Sequence, residues 1–253
     1  MLKKINLLTL FSVIISVQTL AHDFWVDGYN SSTFKAHIGY GHDFPNPEKI
    51  AKDRVTLFES LNILDKNSKK TTLENKGENY QYITKKPLDD GSYILMGTYK
   101  TTYWTKTKNN KWKMGKTKED VSDAISCDKV SKFAKSIINI GNNNDSFVTK
   151  AIGQKLEIIP LDNPINFKVG KPFKIKVLLD GKPAKTVKIK GTFGGFTKNQ
   201  FALYGTTDLR GEIEITPLRG GKWILMTKSV KPLKDTKKCD NNYNSASLTF
   251  QIR

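Results

Sequence analysis

From about Lys155 onward, apolar and polar residues alternate with a period of two. Phe173-Lys-Ile-Lys-Val-Leu-Leu runs into Asp180-Gly181, and Ala184-Lys-Thr-Val-Lys-Ile-Lys resumes the alternation. Such a pattern sets one strand face on a core and the other in water, and Asp-Gly between two such runs signals a hairpin. Glu212-Ile-Glu-Ile-Thr, Gly221-Lys-Trp-Ile-Leu-Met and Ser247-Leu-Thr-Phe-Gln-Ile252 continue it. This strand spacing predicts a β-sandwich of immunoglobulin-like size.

The preceding half is β-rich but less regular. Arg54-Val-Thr-Leu-Phe, Tyr80-Gln-Tyr-Ile-Thr, Ser92-Tyr-Ile-Leu-Met and Tyr99-Lys-Thr-Thr-Tyr-Trp104 are candidate strands, and the Lys/Asn-rich stretch from Thr105 to Lys118 is a candidate hairpin tip. Val130, Phe133, Ala134, Ile137 and Ile138 share one face at helical spacing, ahead of Gly141 and three asparagines. A short helical insertion around 119–140, broken near Cys127, is the expectation. The predicted fold is therefore all-β: two immunoglobulin-like β-sandwich domains, over 22–159 and 160–253, the first carrying that helix.

The first 21 residues, Met1 to Ala21, break this texture. Two lysines precede an apolar run from Ile5 to about Val17, and small residues close the segment. That is the layout of a secretory signal peptide cleaved after Ala21, and the run is too short for a comfortable membrane span. The expected location is the periplasm, with no transmembrane segment in the mature chain. Cleavage takes Lys3 and Lys4 from a chain of formal charge +18, leaving +16. The lysines are spread along strands and show no nucleic-acid-binding signature, so nucleic acid is excluded as a partner and electrostatic contact with the anionic envelope surface is expected. Cys127 and Cys239 suit an oxidising compartment, where one structural disulfide is expected; two buried free thiols are the alternative.

All three histidines lie within the first 42 residues. Cleavage makes His22 the first residue, so that an α-amine and an imidazole share one residue and can chelate a metal. His37 and His42 flank Ile-Gly-Tyr-Gly, whose glycines let the backbone bend. His22, His37 and His42 are the predicted metal ligands, with Asp23 and Asp43 as weaker candidates that could orient an imidazole. Taken singly, histidines on turns are solvated residues without a ligand; their clustering carries the prediction. No nucleophile elbow, P-loop, dinucleotide-binding glycine motif, HExxH or CxxC is present. The reading is of a binding protein rather than an enzyme.

Ala21-His22-Asp23-Phe24-Trp25-Val26, followed by Gly39-Tyr40-Gly41-His42-Asp43-Phe44-Pro45, resembles the periplasmic NikM/NikK-type nickel-uptake family. Thr207-Asp208-Leu-Arg-Gly211 and Gly221-Lys-Trp-Ile-Leu resemble its closing hairpins. The resemblance implies an extracytoplasmic nickel-binding component that works with the membrane permease of an energy-coupling-factor type importer. It also implies that His22 and His42 hold the ion, with His37 carried over less directly. Ni2+ is the implied ion, and Cu2+ and Co2+ are the alternatives, since a nitrogen-rich site holds Cu(II) more tightly than Ni(II). Two other readings compete: a copper-binding histidine-brace protein, as an oxidative enzyme or a carrier, and a non-catalytic basic β-sandwich module that binds an envelope partner.

Overall fold

A computed structural model describes residues 22–76, 81–196 and 200–253. The proposed signal segment, Met1 to Ala21, lies outside the described residues. Seventeen strands occur among the described residues. The first six are β1 (Asp23–Asn30), β2 (Phe34–Gly41), β3 (Asn62–Leu64), β4 (Lys70–Thr72), β5 (Glu74–Asn75) and β6 (Gln81–Ile83). Then come β7 (Gly91–Thr107), β8 (Trp112–Met114), β9 (Ala124–Ile140), β10 (Leu156–Pro160), β11 (Phe173–Leu179) and β12 (Lys182–Pro183). The last are β13 (Lys188–Phe193), β14 (Leu203–Thr206), β15 (Glu212–Ile215), β16 (Gly221–Pro232) and β17 (Asn241–Ile252). Helix is confined to short 3-10 turns among the described residues, and none is long and apolar enough to cross a membrane.

The fold is all-β and sandwich-like, as the alternation predicts. A nine-stranded sheet runs β14-β13-β16-β17-β9-β7-β3-β4, with β8 paired to β7. One smaller sheet, β1-β2-β6-β5, lies on one face of it and a second, β10-β11-β12 with β15, on the other. The hairpin expected at Asp180-Gly181 forms, with both residues at positive φ, as the twist of a two-residue connection requires. The stretch from Arg54 to Phe58 is instead mostly a 3-10 turn, Lys52–Leu57.

The helical insertion expected around 119–140 is a correction. Ala124–Ile140 is one long strand, antiparallel to β7 and parallel to β17, and only Lys118–Asp120 makes a helical turn. The reason lies in its burial on both faces. Val130, Ala134 and Ile138 face the core shared with β1 and β2, whereas Phe133 and Ile137 face the core shared with β10 and β11. Lys132 and Lys135 fill inward positions, one on each face. Lysines at buried strand positions leave the apolar residues at intervals of three and four, which mimics a helix.

The expected division at 159/160 falls inside β10, and the parallel β17–β9 pairing joins strands from both halves into one sheet. Cys127, near the start of β9, and Cys239, just before β17, form the expected disulfide. It sits where those strands meet, and Asp240 reinforces the junction by accepting from the Cys127 N–H at 2.8 Å and pairing with Lys118.

Lys135 and Glu157 form an ion pair of 2.8 Å with both side chains only 1% exposed. Glu157 also accepts from the backbone N–H groups of Ile152 and Gly153. Removing one partner strands a buried charge, which costs about 3–5 kcal/mol. Lys135→Met should therefore lower unfolding stability by that amount in urea titration. Adding Glu157→Gln should restore part of it, because the amide oxygen still accepts from the backbone and carries no charge.

Candidate metal centre

β1 and β2 are an antiparallel pair in which Asp23 faces Gly41, so the residues just beyond, His22 and His42, meet at the open end of the pair. Their rings lie 4.5 Å apart between centroids, tilted by 34°. His22 also stacks on Tyr40, at 4.7 Å and 7° between planes. The chain then reverses through Asp43–Asn46, where the Asn46 N–H donates to the Asp43 carbonyl at 2.6 Å. That turn returns Glu48 to the strand it left, and the Glu48 N–H donates to the Tyr40 carbonyl at 2.8 Å.

Glu48 lies across the two histidines. Its Oε1 accepts from the His42 backbone N–H at 3.1 Å, and its Oε2 is 3.2 Å from His22 Nε2. Gly41 makes this possible. It stands at φ +152°, and a Cβ there would come within 2.9 Å of Glu48 Cγ. One ligand atom from each of His22, His42 and Glu48 lies within 4.8 Å of the others. An ion bound at about 2.0–2.2 Å from N and O donors would draw them closer together than this.

His22 is fixed from below by Lys132. The buried ammonium donates to the His22 carbonyl at 2.6 Å and sits over the rings of Tyr40 and Tyr99, 5.3 and 5.7 Å from their centroids. Burial draws the Lys132 pKa down to about 8. Burial also lowers the pKa of His22; His42 and Lys132 act in the same direction, and the Glu48 carboxylate opposes them. The net effect keeps the His22 imidazole neutral to lower pH, the form that ligates a metal.

The other sequence-derived candidates go elsewhere. His37 pairs with Asp27 across β1 and β2, and burial lowers its pKa while Asp27 raises it and Lys222 lowers it. His37 is thus outside the His22–His42–Glu48 cluster, because Asp27 and Lys222 mark a different stretch of the β1–β2 pair. Asp23 turns away to an ion pair with Lys190 at 3.2 Å, and Asp43 closes its turn with Asn46. Neither joins the cluster. Sequence reading missed Glu48. The only signal was Pro45-Asn46-Pro47, beginning three residues after His42, which implies a reversal that can bring a nearby acid back.

The two histidines with lowered pKa values fix an acid response. Their unfolded pKa is near 6.5, so below it the unfolded chain binds more protons than the fold, and stability is lost as pH falls. Each contributes at most about 1.4 kcal/mol per pH unit. The urea midpoint of metal-free protein should drop between pH 7 and 5, and His37→Asn should flatten that slope.

Among proteins of curated function none matches the chain. Among solved structures, the three N-terminal domains of the bacteriophage RB49 Highly Immunogenic Outer Capsid protein (Hoc) match at 9% identity and a TM-score of 0.19. That match covers 92% of this chain, which spans about 59% of the capsid-protein structure. A family match runs from residue 19 to residue 231, well over half of the chain. The chain belongs to the family described as Domain of unknown function (DUF4198).

Proposed function

We propose that this protein is an extracytoplasmic nickel-binding component of a nickel or cobalt import system, with His22, His42 and Glu48 as the ligands. The observation that carries the reading is the convergence of two imidazoles and a carboxylate at the end of the β1–β2 pair. The donor set suits borderline divalent ions such as Ni(II), Co(II) and Zn(II), and Cu(II) more tightly still. Choice among these ions then rests with supply in the compartment and with the permease that receives the cargo. The resemblance of the two N-terminal motifs to nickel-uptake proteins is what singles out nickel. Export through the segment ending at Ala21, and delivery to a membrane permease, belong to the same proposal.

Each residue has a separable part. His22 and His42 supply neutral nitrogen donors, Glu48 supplies a negative oxygen, and the Tyr40 ring backs His22. Glu48 offsets the positive field of the ammonium at Lys132, which would otherwise repel a cation. Release follows from the same chemistry, since protons compete for both imidazoles.

The 3.2 Å approach of His22 Nε2 to Glu48 supports Nε2 as the coordinating edge. An α-amine chelate would use Nδ1 instead, so one extra residue before His22 separates the two modes. Calorimetric titration of the exported form with Ni(II) at neutral pH should give one site. His42→Ala and Glu48→Ala should each weaken it by about tenfold or more, the scale of one lost charge-assisted contact. His37→Ala and a Gly placed ahead of His22 should leave it unchanged. Binding no tighter than millimolar would end the proposal. Loss on Gly extension as large as that of His42→Ala would move the site to the amine and Nδ1.

A further inference from the structure

The β1–β2 pair covers only part of the outer face of the nine-stranded sheet. Past Asp23, where β1 begins, no described strand covers that face. Tyr204, Lys190, Met226 and Ser247 make one row across it, since Lys190 pairs with both Tyr204 and Met226, and Met226 with Ser247. In the next row Thr206 pairs with Lys188 and Lys228 with Ser245. The Ile189–Thr227 pairing, extended by one residue, sets Lys188 opposite Lys228.

Two like charges facing each other across a strand pair are destabilising. Lys190 is occupied by Asp23, but neither Lys188 nor Lys228 has an acidic partner among the described residues. Both border a cleft of about 300 Å³ between this face and the start of β1. Phe24 and Met226 give it an apolar floor, and Tyr243 and the 74% exposed Tyr204 stand at its rim. Apolar lining with a few convergent polar groups is the composition of a small-molecule site.

We propose that this cleft binds a small amphipathic organic anion, a carboxylate with an aliphatic or aromatic body. The anionic head bridges Lys188 and Lys228, relieving their repulsion, while the body lies on Met226 and Phe24 between the two tyrosines. The site is distinct from the His22–His42–Glu48 cluster and does not depend on metal.

The probe is the anionic dye 8-anilinonaphthalene-1-sulfonate, titrated into the natively folded protein. One saturable site is expected. Octanoate should displace the dye, 1-octanol at equal concentration should not, and affinity should fall with added salt. Lys228→Glu should weaken dye binding by about tenfold, the scale of one charge-assisted contact, while thermal stability holds or rises because the facing lysines are no longer alike. Lys228→Gln and Tyr204→Ala, which remove charge and ring without adding a new ion pair, should weaken it as well. Non-saturable binding, equal displacement by octanol, or unchanged affinity in folded variants would overturn the proposal. Ni(II) titration of the same variants keeps the two sites apart, since the metal affinity should not move.

Discussion

The docking of one edge strand decides most of what this molecule can do. β1 pairs with β2 alone, which leaves its other edge with unpaired carbonyls facing the large sheet. Three side chains of that sheet fill alternate positions along it. Lys132 donates to the His22 carbonyl at 2.6 Å, Ser247 to that of Phe24 at 2.7 Å and Thr249 to that of Val26 at 2.6 Å. A buried carbonyl without a partner costs free energy on the scale of a lost hydrogen bond, so a purely apolar surface could not seat this edge. The polar residues at 247 and 249 in the last strand therefore act as a second rail beside β1. His22 occupies the end of that rail. Its ring position follows from the same register that holds Phe24 and Val26 in the core.

The same device explains which parts of the fold could be read from sequence. Strands with one wet face, such as Phe173–Leu179, alternate cleanly and were legible, as was the Asp180-Gly181 turn. β9 and β7 are covered on both faces, and their patterns are correspondingly irregular. Ile94 and Leu95 are adjacent yet enter different cores, as do Ile137 and Ile138. In β9 the inward lysines at 132 and 135 removed the expected apolar signal and left a helical spacing behind. Their burial is affordable only through partners far away in sequence, His22 for one and Glu157 for the other. Long-range pairing of this kind has no local signature, and neither does the parallel β9–β17 contact that joins the two halves.

At the site, the residue types were legible and the geometry was not. Three histidines in the first 42 residues pointed to His22 and His42, and antiparallel pairing of β1 with β2 brings those two together. His37 lies four positions short of Gly41 on the same strand, and each position advances about 3.4 Å, so it cannot reach the end of the pair. The third ligand candidate comes from a turn. Glu48 returns because Asp43–Asn46 reverses the chain and because Gly41 leaves room for its side chain.

Electrostatics ties these parts together. A buried ammonium at Lys132 under His22 is an unfavourable foundation for the proposed cation site, yet it holds the strand end that carries the His22 imidazole. Its charge is partly met by the Tyr40 and Tyr99 ring faces, while Asp23 favours the charged form and Arg54 and Lys190 oppose it. Glu48 supplies the negative charge on the upper side, half exposed, where water can exchange with an ion. That carboxylate faces His22 Nε2 at 3.2 Å. A bound cation would take the place of this contact, with Glu48 already aimed at the ion and the backbone N–H of His42 still holding its other oxygen. Positioning a ligand through a backbone contact that survives binding limits the reorganisation required, which is why the narrow space over Gly41 matters as much as the identity of the histidines.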